Sequence, residues 1–86
     1  MVAVYVPKVA EFSTMIDVSR DQVGVRVINF SEDYHKIESD GDLIFNRKEL
    51  KMKPAVWYGL FTGGLDGNIS HFGRDELRVI GSNAKA

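Results

Sequence analysis

Acid–base chemistry in this chain would fall to two histidines. His71 is followed closely by Arg74, Asp75 and Glu76; His35 stands in an acidic stretch. A histidine near carboxylates can serve as a general base, because its charge changes near neutral pH. That makes His71 the candidate catalytic residue. Its nucleophile would have to be Ser70, Ser13, Thr62 or Tyr58, and no spacing marks one of them. His35 and His71 lack the i, i+2 or i, i+4 spacing of a local metal pair, so no metal site is expected. There is no Cys, which removes thiolate chemistry and disulfides. No cofactor motif is present. The bland alternative is an ordinary strand histidine, since a lone titratable group needs a cleft and a charge partner to become a site.

Two other groupings could bind rather than catalyse. The basic run Arg47, Lys48, Lys51 and Lys53 faces only Glu49 in sequence and precedes Trp57 and Tyr58. Cations beside exposed aromatics can hold a phosphate backbone and stack bases. Against this, the net charge is −1 and the pI is about 6.1, whereas nucleic-acid domains usually carry a basic excess. The loop Thr62 to Asn68 is rich in glycine and could turn backbone N–H groups toward an anion. It matches neither G-x-x-x-x-G-K-[ST] nor G-x-G-x-x-G, so turn geometry is the simpler reading. The acidic stretch Ser31 to Asp42 is too short around Asp40-Gly41-Asp42 for a calcium loop. It reads as a polar hairpin tip that could pair with the basic run, within or between subunits.

The apolar segment Pro54 to Gly64 is expected to organise the elements that position these groups. It holds the only Trp and no charge. Pro54 suits the first turn of a helix. Val56, Trp57, Leu60 and Phe61 then share one face, and Gly63 suits the end. A strand is the competing reading, since Val, Trp, Tyr, Phe and Thr favour strands. Val2 to Val6 reads as a strand ending at Pro7. Phe12, Thr14, Ile16 and Val18 share one parity, which predicts a half-buried strand over 11–19, with Met15 breaking the pattern. Val23 to Phe30 is the clearest strand. Shorter ones follow at Tyr34 to Glu38, Leu43 to Phe45, Asn68 to Phe72 and Glu76 to Ile80. Asn46 is placed to cap a single turn through Leu50. Hairpins are expected near 19–22, 39–42 and 73–75, the second because Asp-Gly favours tight turns.

These elements predict an α+β fold, mainly β. It would be an antiparallel sheet of five or six short strands with one short helix at about 54–62; a small all-β barrel is the alternative. Residues 1–80 form one expected domain and 81–86 a flexible tail. Eighty-six residues bury a thin core, so good packing or oligomerisation must support it. No apolar run approaches the ~20 residues of a membrane span, and no signal peptide is evident, so the cytoplasm is the expected compartment.

The function these features favour is a small non-catalytic binding or accessory module, oligomeric, using an aromatic patch of Val56, Trp57, Tyr58 and Phe61, with Arg74 nearby. It would bind a protein partner, a second copy or a small apolar ligand. The alternatives are a cofactor-independent acid–base enzyme, with a subunit-interface pocket around His71, and a weak nucleic-acid binder.

Overall fold

The computed structural model of the protein describes residues 1–59 and 64–81. The fold is α+β and mainly β; among the described residues there are two open antiparallel sheets rather than one, and no closed barrel. The first sheet has four strands in the order β2-β3-β1-β5: β1 (Val2–Pro7), β2 (Val25–Asn29), β3 (Tyr34–Ser39) and β5 (Leu65–Asp66). The second has three in the order β4-β7-β6: β4 (Leu43–Asn46), β6 (Asn68–Phe72) and β7 (Glu76–Ile80).

The segment expected as a strand over 11–19 is instead a 3-10 turn, Ala10–Phe12, followed by helix α1, Ser13–Arg20. Topology supplies the reason. Both β1 and β2 run antiparallel to β3, so they are parallel to each other. A parallel pair cannot be joined by a tight turn and needs a crossover, usually a helix. The helix buries Met15, Ile16 and Ser19, with Phe12 buried just before it. That is helical spacing, and Met15, which spoiled the alternation, is part of the buried face. With β3 between β1 and β2, the unit is a split βαβ.

Three further expectations change. Residues 19–22 end α1 and make no hairpin: Asp21 and Gln22 donate backbone N–H groups to Val18 and Ser19. The strand expected from Val23 begins at Val25, after Gly24 at φ +81°. Residues 39–42 carry the chain from the four-stranded to the three-stranded sheet, so β3 and β4 are not paired and the Asp-Gly sequence closes no hairpin. The turn at 73–75 does join an antiparallel pair, β6 and β7. Helix α2 is Pro54–Tyr58, with Pro54 in its first turn and Gly59 at its end. Of the helix expected over 54–62, Leu60, Phe61 and Thr62 lie outside the described residues, as does the tail beyond Gly81.

One core unites the two sheets. Val2, Val4 and Val6 of β1 and Ile37 of β3 meet Met15 and Ile16 of α1. Leu43, Phe45, Leu77 and Val79 enter it from the second sheet, and Trp57 from α2. The alternate residues of the first sheet face away from this core. Its outer face has no covering layer among the described residues, and neither has that of the three-stranded sheet, where Ile44 and Ile69 are exposed.

Candidate functional site

The outer face of the four-stranded sheet is built by strand alternation. Cross-strand register sets Arg26, Glu38, Ala3 and Asp66 in one row, and Ile28, Lys36 and Tyr5 in the next. Tyr34 pairs with Pro7 in a third. Phe30, just past β2, folds back over this face and meets Tyr5 edge-on, with ring centroids 4.8 Å apart. Phe30 nevertheless remains 56% exposed, and Ile28 is also exposed.

Electrostatics lock this face rather than charge it. The Tyr5 hydroxyl donates to Asp66 Oδ2 at 2.8 Å. That bond raises the phenol pKa above its ordinary value, with help from burial and the nearby charges of Asp66 and Glu38. The Lys36 ammonium stands 5.9 Å from the Tyr5 ring centroid, within cation–π range. Arg26 reaches Asp40 at 3.1 Å and Glu38 at 3.5 Å. The bond from Arg26 holds the Asp40 carboxyl below its usual range.

The residues singled out by the sequence are placed elsewhere. Trp57 is fully buried and donates its indole N–H to the Gly73 carbonyl oxygen at 2.9 Å. It is a core residue and not part of a surface patch. Tyr58 is 55% exposed and tilts against Phe72 at 5.7 Å. Phe61 lies outside the described residues. Arg47 is spent on structure: its guanidinium donates to Asp75 Oδ1 at 2.8 and 3.1 Å, to the Arg74 carbonyl oxygen and to that of Met52. Asp75 is engaged through Oδ1 by Arg47, which holds its carboxyl below the usual range. Lys48, Lys51 and Lys53 are exposed, but the buried Trp57 cannot offer them a stacking platform. Arg74 is exposed, with its carbonyl engaged by Arg47. His71 lies opposite Arg78 on the outer face of the three-stranded sheet and is exposed.

The acidic and basic blocks do not pair with each other among the described residues. Glu38 and Asp40 pair with Arg26, and Arg47 with Asp75. No three His, Asp or Glu side chains cluster as metal ligands among the described residues. In the glycine-rich loop, Gly67 has φ +128°, and a Cβ there would sit 2.7 Å from the Ile80 carbonyl oxygen. The passage from β5 in one sheet to β6 in the other therefore requires glycine at this position.

Two clefts flank α1. One, of about 330 Å³, lies between α1 and the 50–53 segment, lined by Glu11, Thr14, Lys51, Lys53 and Val56 among others. The other, of about 320 Å³, lies between α1 and the ends of β1 and β3 and is lined by Lys8, Arg20 and His35. His35, considered at the level of sequence only as a companion to His71, shares the inward parity of Ile37 and Ser39. Tyr5 and Phe30 were also missed, because only the strand order brings them together.

No protein-family model matches the chain, and no curated protein matches it.

Proposed function

We propose that the chain is a non-catalytic binding module that docks through the outer face of its four-stranded sheet, with a second copy of itself as partner. The observation that carries this reading is the Tyr5–Phe30 pair, edge-on at 4.8 Å yet with Phe30 56% exposed on an uncovered sheet. An apolar, aromatic centre with a polar, ion-paired rim is the usual anatomy of a protein interface. Here Tyr5, Ile28, Phe30 and Tyr34 form the centre, and Arg26, Glu38, Asp40 and Asp66 form the rim. That rim carries both signs, so it can complement a two-fold copy of itself, as an isologous interface requires. Three carboxylates beside Arg26 and Lys36 disfavour a phosphate backbone on the same face.

A four-stranded sheet with strands of up to six residues presents roughly 20 Å by 20 Å, about 800 Å² over two copies, which is below the range of stable specific interfaces and in that of weak, transient ones. Association is accordingly weak. Sedimentation equilibrium between about 1 and 500 μM should show a mass rising from 9.6 kDa toward twice that value. A 9.6 kDa monomer across that range overturns the reading. Binding of a labelled single strand that weakens steeply with salt would favour nucleic acid instead.

A further inference from the structure

The cleft between α1 and the ends of β1 and β3 is independent of the proposed docking face and lies on the opposite side of the sheet. Ser13, Ile16, Asp17 and Arg20 line it from α1, at the i, i+3, i+4 and i+7 positions that share one helical face. Lys8 enters from the end of β1 and His35 from β3.

Three features of this cleft bear on the ligand it would take. The Arg20 side chain has neither a hydrogen bond nor an ion pair among the described residues. The Lys8 ammonium donates to Asn29 Oδ1 and keeps its remaining N–H groups for another acceptor. The His35 Nδ1 is sealed from solvent with no hydrogen-bond partner. An unpaired buried acceptor is less costly than an unpaired buried N–H, so the ring proton belongs on Nε2. Nε2–H is then the donor the ring can offer to a ligand.

Burial holds His35 below its ordinary pKa, and the charges of Lys8 and Arg20 add to that depression. With His35 neutral, Lys8 and Arg20 stand against Asp17, which leaves a single positive charge. A monoanion balances this, whereas a phosphate dianion would leave an excess beside Asp17. Pro7, Val9 and Ile16 supply apolar wall beyond the cations.

We infer that this cleft binds a small organic monocarboxylate, its charged end between Lys8, Arg20 and His35 and its apolar body on Pro7, Val9 and Ile16. The experiment is a 15N and 13C NMR titration of the full chain with benzoate, with benzyl alcohol and inorganic phosphate as parallel arms. Benzoate is expected to saturate with a dissociation constant of about 1 mM, as suits a ligand of so few atoms. The bound carboxylate should raise the His35 pKa, because it offsets the Lys8 and Arg20 charges. Arg20→Gln, at an exposed and unpaired position, should keep the native spectrum and weaken benzoate by about fivefold. Four results would overturn the inference: equal binding of benzyl alcohol, tighter binding of phosphate, no saturation by about 50 mM benzoate, or unchanged affinity in Arg20→Gln.

Discussion

The Trp57 indole N–H donates to the Gly73 carbonyl oxygen at 2.9 Å, which ties α2 to the turn between β6 and β7. The ring itself is fully buried and lies 5.7 Å from that of Phe72. One side chain thus both fills the core and satisfies a turn carbonyl. Trp57→Phe should cost about 2–3 kcal/mol, combining the lost bond to a partly buried acceptor with a small cavity. Urea denaturation would check this as a lower midpoint at unchanged slope. A change under about 0.5 kcal/mol would contradict the packing described.

Arg47 joins the turn after β4 to the turn after β6 through Asp75, and this pairing makes stability depend on acid. The Asp75 carboxyl titrates lower in the folded chain than in the unfolded one, because the Arg47 guanidinium stabilises its charge. The unfolded state therefore binds more protons in the acid range. The contribution is fully present above about pH 4 and disappears as pH falls through the depressed folded value. Asp40 acts in the same direction through Arg26. Asp75→Asn should flatten part of the acid limb in thermal melts between about pH 2 and 5, with Arg47→Met giving the same flattening.

Gly67 tests the reading of the glycine-rich loop. Gly67→Ala places a methyl 2.7 Å from the Ile80 carbonyl oxygen and 3.1 Å from Val2 Cγ1, at φ +128°. The expected loss is about 3 kcal/mol, seen as a lower melting temperature. Gly41→Ala meets nothing within 4 Å and should change stability by under about 0.5 kcal/mol.

Phe30 separates association from folding. It is exposed, so Phe30→Asp should leave the circular dichroism spectrum native. Sedimentation of the same variant should show self-association weakened by at least about tenfold, the effect of burying an unpaired charge at an aromatic contact. Asp at exposed Ile44, on the other sheet, should not alter association.

Local signals were legible where a short stretch decides its own structure. Asn46 caps a single turn, accepting from the backbone N–H groups of Lys48 and Glu49. Pro54 opens a helix, and 73–75 closes an antiparallel pair. The helix over Ser13–Arg20 was not legible, because Thr14, Ile16 and Val18 satisfy a period of two while the burial of Met15 and Ile16 together is decided by the sheet above them. The division into two sheets was equally hidden, since Asp40-Gly41 is compatible with a tight hairpin and with a passage between layers. The docking face needed the strand order: Tyr5 and Phe30 become neighbours only because β3 lies between β1 and β2.

The central place of β1 also has a kinetic consequence. The β2–β3 hairpin closes over the short connection between Asn29 and Tyr34 and can form by itself. Val4 pairs with Ile37 on one side and Leu65 on the other, so β1 can complete its pairing only after two much longer loops have closed. Loop-closure entropy places those steps late. Until then the apolar Val2, Val4 and Val6 stay solvent-facing, and the nascent chain is most vulnerable to misassembly at this strand.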